Sequence, residues 1–171
     1  MARQVSGSLG RPHWAGYDQA QVCPNGHVTN AVMQANPSHS QDFCAKCGAG
    51  TLDKCPKCNS LIRGHYHNRR VVAPYFPPAF CDKCGQPYPW TQAKIAAARA
   101  VIEEISELTT DQRLTLASSI DDIASETPRT ELAVLRVKKI LTAVSPLTGE
   151  TIKKLVVAVA SETAKKLLTG S

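Results

Sequence analysis

Cys44-Ala-Lys-Cys47 and Cys55-Pro-Lys-Cys58 stand with seven residues between them. The same spacing returns at Cys81-Asp-Lys-Cys84, and a related turn, Cys23-Pro-Asn-Gly-His27, comes before all three. Two donors separated by two or three residues can be aimed at one ion by a single tight turn, and two such turns close a tetrahedral site. Eight donors therefore make two closed sites. The expected ligands are Cys23, His27, Cys44, Cys47, Cys55, Cys58, Cys81 and Cys84, holding two structural Zn²⁺ ions.

The flanking residues agree with knuckle-like turns. Gly48 follows Cys47, Asn59 follows Cys58, Gly85 follows Cys84, and Gly26 precedes His27. Such turns need positive φ near the second ligand, which Gly and Asn tolerate. Pro24 and Pro56 fix φ directly after a first ligand. His27 is preferred over His39, His65 and His67 because it completes a knuckle of its own; the bland alternative is an exposed histidine. Sequential pairing of the turns gives two zinc ribbons, with loops of 16 and 22 residues inside them. Crossed pairing, first turn with third and second with fourth, would give a RING-like domain. The sequential arrangement is expected, because the seven-residue gap after Cys47 is long for a RING.

All seven cysteines lie in the first half of the chain, and six sit in Cys-x2-Cys pairs. An odd number of cysteines and no apolar N-terminal leader argue against a disulfide framework and for a cytoplasmic setting. No apolar run is long enough to span a membrane. Catalysis is not expected. Four protein ligands leave no corner for water, residues 1–90 contain no glutamate, and their aspartates are isolated. A dithiol oxidoreductase needs one reactive pair at a helix N-terminus rather than three pairs among prolines.

Charge is a weak guide to partners. The formal +6 treats every cysteine as a neutral thiol. Seven thiolates and two Zn²⁺ would lower it to about +3. Residues 1–90 hold nine Lys/Arg against four Asp/Glu, and residues 91–171 hold eleven against ten.

Three regions follow: a lead-in over 1–16, a double zinc ribbon over 17–90, and a helical bundle over 91–171. The fold class is α+β. The ribbon region holds eight of the eleven prolines, which suits short strands and turns. After Trp90 the pattern becomes amphipathic. Thr91 is read as an N-cap for a helix over 92–108, with Ile95, Ala98, Ile102 and Ile105 or Leu108 inward. Thr110 is read as the cap of a second helix, Asp111 to about Ser125, carrying Leu114, Ile120 and Ile123. Pro128 opens a third to about Val144, with Leu132, Leu135, Val137 and Leu141 apolar. After a connector over 145–149, a fourth helix runs from Glu150 to about Leu168. Four such helices with short links predict a small antiparallel bundle.

Three further segments have a functional and a plain reading. Arg63-Gly-His-Tyr-His-Asn-Arg-Arg70 is a basic stretch on which Tyr66 could stack a base; the plain reading is a solvated hairpin tip. Ala73-Pro-Tyr-Phe-Pro-Pro-Ala-Phe80 is expected to pack on the second ribbon rather than serve a partner. Tyr88 and Trp90 are expected to fasten the ribbon to the helices. The paired lysines of the helices, nearly balanced by acids, read as solvated faces.

Tyr17-Asp-Gln-Ala-Gln-Val-Cys-Pro-Asn-Gly-His27, Cys81-Asp-Lys-Cys-Gly-Gln-Pro-Tyr-Pro-Trp-Thr91 and Asp122-Ile-Ala-Ser-Glu-Thr-Pro-Arg-Thr130 resemble a bacterial family of small zinc-ribbon proteins of unknown function. The resemblance runs from about Tyr17 to Leu168. It implies that the eight ligands above are the family's ligands and that the host is a bacterium; it implies no activity. The expected role is a scaffold or adaptor that binds a protein partner, with the C-terminal helices available for a homodimer. The alternatives are nucleic-acid binding through residues 63–70 and, were the pairing crossed, a RING-like ligase or scaffold.

Overall fold

A computed structural model describes residues 16–67 and 74–170. The lead-in before Gly16, together with Asn68, Arg69, Arg70 and Ala73 of the two segments singled out above, lies outside them. The chain divides after Trp90 into two compact units, and the layout is α+β: short antiparallel strand pairs first, then helices.

The first unit contains β1 (Gly16–Gln19), β2 (Gln21–Val22), β3 (Val28–Asn30) and β4 (Arg63–His67). β2 and β3 form a hairpin whose tip is the Cys23–His27 turn, while β1 pairs antiparallel with the distant β4, Tyr17 opposite Tyr66. Elsewhere among the described residues, strand-like pairing is confined to isolated bridges. Three of them close the Cys-x2-Cys turns in one way: Phe43 with Gly50, Lys54 with Leu61, Phe80 with Pro87. The loop after β3 is tied down by buried polar side chains. The Asp18 carboxylate accepts from the N–H groups of Gln19, Gln34 and Ala35. The Asn30 carboxamide donates to Asn36 O and Ser40 Oγ, and Gln21 Oε1 accepts from Gln41 N. A buried amide or carboxylate is tolerated only when its hydrogen bonds are made in this way.

The unit's apolar core is small: Ala20, Val22, Ile62, Tyr88 and Trp90 with Cys55 and Cys81, and Tyr75 packed against them. Tyr88 and Trp90 stack at 4.5 Å, and the indole N–H donates to Pro78 O at 2.9 Å. Both rings are thus built into the ribbon unit itself. The apolar stretch before Cys81 is divided. Tyr75 packs inward and donates to Arg63 O, whereas Phe76 is 78% exposed.

Five helices follow among the described residues: α1 (Pro89–Glu104), whose first two residues belong to the first unit, then α2 (Thr110–Ala124), α3 (Thr130–Leu141), α4 (Pro146–Val159) and α5 (Glu162–Thr169). Four were expected. The fourth divides because Ala160 is extended and Ser161 caps a new helix, its side chain accepting from Ala164 N. Other boundaries shift for similar reasons. α1 starts at Pro89, so Thr91 lies inside it. Thr109, not Thr110, caps α2 through a reciprocal capping box with Gln112. Ser145 caps α4 with Pro146 in its first turn, so the expected connector is already helix.

The core joins Ala98 and Ile102 of α1, Leu116, Ile120 and Ile123 of α2, Ala133, Val134, Val137 and Ile140 of α3, Ile152 and Val156 of α4, and Ala164 and Leu168 of α5. Leu114, Leu132 and Leu135, picked out above as apolar positions of the second and third helices, are exposed. No helix among the described residues is long and apolar enough to cross a membrane.

Candidate metal centre

The three Cys-x2-Cys turns share one hydrogen-bond pattern. The first cysteine's N–H donates across the turn, to Ala49 O, Ser60 O and Gln86 O, at 2.8–2.9 Å. Its own carbonyl accepts from the residue after the second cysteine: Gly48, Asn59 or Gly85. Those three residues have φ of 71°, 59° and 70°, the left-handed region where a Cβ is costly for residues other than Gly and Asn. The first turn is a variant with one more residue. Cys23 N donates to His27 O, Gly26 N donates to Cys23 O, and Gly26 supplies the positive φ.

These turns bring together Cys23, His27, Cys44 and Cys47 in one group and Cys55, Cys58, Cys81 and Cys84 in another, the donor atoms within each lying within 4.8 Å of one another. The grouping is sequential. In site 1, Cys23 Sγ lies 3.7 Å from Cys47 Sγ, and His27 Nδ1 lies 3.5 Å from Cys23 Sγ and 3.6 Å from Cys44 Sγ. In site 2, Cys55 Sγ lies 3.8 Å from Cys84 Sγ and Cys58 Sγ 3.7 Å from Cys81 Sγ. A tetrahedron drawn about an ion with metal–sulfur bonds of about 2.3 Å and a metal–nitrogen bond of about 2.05 Å has edges of roughly 3.8 Å between sulfurs and roughly 3.6 Å from nitrogen to sulfur. A disulfide would need about 2.05 Å. The donor sets therefore fit one tetrahedral ion each, with His27 bonding through Nδ1.

Neighbouring groups favour thiolate over thiol. The Ala49 N–H, then the Asn25 amide, which lies 3.3 Å from the sulfur, hold Cys47 down to about 6. The Ser60 hydroxyl sits 3.0 Å from Cys58 Sγ and 3.3 Å from Cys81 Sγ; it lowers Cys58 and is the main reason that Cys81 falls to about 5. Against this, burial raises Cys23. Cys84 is pushed up to about 12, because burial and the three facing thiols outweigh the lowering contact with the Gln86 backbone. A divalent cation at the centre of such a group favours the thiolate form of its ligands.

In each site the first ligand of every turn is buried, while Cys47 and Cys58 are exposed and Cys84 is half-buried. The sequence reading passed over Ser60 and Asn25, which touch ligand sulfurs, and Asp18, Gln21 and Asn30, which hold the intervening loop. Asn25 stands inside the first knuckle, so its proximity was the one available signal.

Of the basic stretch, only residues 63–67 are described, and the rest of it lies outside the described residues. Residues 63–67 are a strand, and Arg63 forms an ion pair with Asp82 at 2.6 Å. Its guanidinium also lies over the Tyr17 ring, 4.4 Å from the centroid, and Tyr17 meets Tyr66 edge-on at 5.0 Å.

Fold and site define a module of two Cys/His clusters, each suited to one metal ion in a zinc-ribbon arrangement, followed by helices. The chain belongs to a family described as an uncharacterized protein conserved in bacteria (DUF2321), whose model matches residues 16–168. No curated protein and no solved structure matches the chain.

Proposed function

We propose that the protein is a zinc-stabilised scaffold or adaptor in the bacterial cytoplasm that binds a protein partner, with both Zn²⁺ ions structural and no catalytic role for either. The observation that carries this reading is the closure of both sites: eight protein donors make two four-atom groups with tetrahedral edges. A catalytic zinc keeps a position for water; these groups leave none. Histidine among thiolates favours zinc over softer alternatives. The ions stand in for a core that a proline-rich segment of this size cannot build from apolar side chains alone.

The test has two parts. Elemental analysis of the purified chain is expected to give two zinc per molecule. The immobilised protein is then offered to native lysate with and without its zinc, and one partner is expected to be retained only by the zinc-loaded form. Retention that ignores zinc removal contradicts a scaffold role for the ribbons. Nucleic-acid binding has less behind it, because Arg63 is engaged by Asp82 and Tyr17. The sequential grouping removes the basis of the RING-like reading.

A further inference from the structure

The two sites differ in how many of their cysteines stand at the surface. Site 1 has one exposed cysteine, Cys47; its companions Cys23 and Cys44 are buried, and its fourth donor is an imidazole. Site 2 is all sulfur. Cys58 is exposed, Cys84 is half-buried, and the two belong to different knuckles. A four-thiolate site about a dication carries a formal −2, against −1 for three thiolates and a neutral imidazole. Its sulfurs are therefore the more electron-rich. Exposure and thiolate character together decide which cysteine a peroxide oxidises.

We propose that Cys58 is the first oxidation site of the protein and that site 2 is a peroxide-sensitive zinc clasp, while site 1 keeps its ion. This rests on the structural-zinc reading above. The Cys58 thiolate attacks the O–O bond of a hydroperoxide, forming a sulfenic acid and releasing hydroxide (alkoxide from an alkyl hydroperoxide). The Cys81 thiolate, 3.7 Å away, attacks the sulfenic sulfur, forms the S–S bond and expels a second hydroxide. Two protons from solvent neutralise the expelled bases. Two electrons pass from the sulfur pair to the peroxide, and the Zn²⁺, left with two thiolates, dissociates. The new bond ties the Cys55–Cys58 knuckle to the Cys81–Cys84 knuckle, both of which contribute to the core around Tyr88 and Trp90.

The experiment treats the full two-zinc protein with hydrogen peroxide, follows released zinc with a chromophoric chelator, and maps disulfides by mass spectrometry. One zinc per chain is expected to leave several-fold faster than the other, with a first disulfide linking the peptide of Cys58 to that of Cys81. Cys84→His, which turns site 2 into the donor set of site 1, is expected to slow the fast release to the slow rate. His27→Cys, the reciprocal change, is expected to speed site 1. Equal release of both ions from the unaltered protein, or a first disulfide among Cys23, Cys44 and Cys47, overturns the proposal. A protein that holds fewer than two zinc before peroxide is added fails the structural-zinc reading instead, so the two failures are distinguishable.

Discussion

Gly64 shows how tightly single residues constrain the ribbon unit. A Cβ there would lie 2.5 Å from Ala31 O and under 3 Å from the backbone of Asp18 and Gln19. Backbone cannot retreat as a flexible side chain can, so Gly64→Ala is expected to destabilise the unit by about 2–3 kcal/mol, in line with overpacking elsewhere, measured as a lower midpoint in denaturant. Ser60 acts on the metal centre without being a ligand, since its hydroxyl touches two sulfurs of site 2. Loss of such a supporting contact commonly costs about 10- to 100-fold in metal affinity. Ser60→Ala is therefore expected to weaken the second zinc by about tenfold in chelator competition and to leave site 1 unchanged. At this scale the sequence was most legible where chemistry restricts the choice. Cysteine spacing and the Gly or Asn after each second ligand pointed to the knuckles directly. Ser60 and Asp18 carried no such mark, because serine and aspartate are at home on any surface.

Between elements, capping does much of the ordering. Glu107 accepts from the Ser145 hydroxyl at 2.8 Å and from its N–H, at the start of α4. Glu126 accepts from the Thr163 hydroxyl and N–H in the first turn of α5. Carboxylates in the links before α2 and α3 thus serve the exposed N–H groups of later helices, where negative charge is favoured. Contacts with Thr148 and Ser145 hold Glu107 below the usual carboxylate range, and those with Thr163 do the same for Glu126. A depressed folded pKa gives stability that is fully present above the unfolded value and is lost as pH falls through the folded one. The helical signal of the zinc-stripped full chain is therefore expected to melt at lower temperature below about pH 4.5, and Glu107→Gln with Glu126→Gln is expected to flatten that dependence. Ser161→Ala removes the cap that begins α5 and is expected to cost about 1 kcal/mol, seen as a lower melting temperature of the same signal.

The segment 122–130 has its account at this scale too. Thr130 is buried and donates to Asp122 O and Ser125 O, while Arg129 pairs with Asp122 at 2.9 Å. The sequence marked the apolar positions of α3 without fixing its phase. Thr130, Ala133, Val134, Val137 and Ile140 line its inner face, while the larger Leu132 and Leu135 face solvent. α3 carries two apolar stripes, and only the one of smaller residues is buried. The break at Ala160-Ser161 was missed because the apolar spacing continues across it; only the Ser-Glu-Thr cap marks it.

Across the whole molecule the two units are stabilised by different means. The helical unit has a continuous apolar core drawn from five helices, whereas the ribbon unit has a handful of apolar side chains around two donor groups. Binding free energy of a structural zinc is folding free energy for such a segment. Chelation is therefore expected to abolish the near-ultraviolet signal of Tyr88 and Trp90 while most of the far-ultraviolet helical signal remains, and added zinc is expected to restore the first. Ribbon structure that survives complete zinc removal contradicts this account.

The most direct measurement is X-ray absorption at the zinc edge of the purified protein. The account predicts two zinc per chain and a sulfur shell at about 2.3 Å, with seven sulfurs to one nitrogen over the pair of ions and no oxygen ligand. A water oxygen in the shell, or sulfur too sparse for two closed sites, would contradict it.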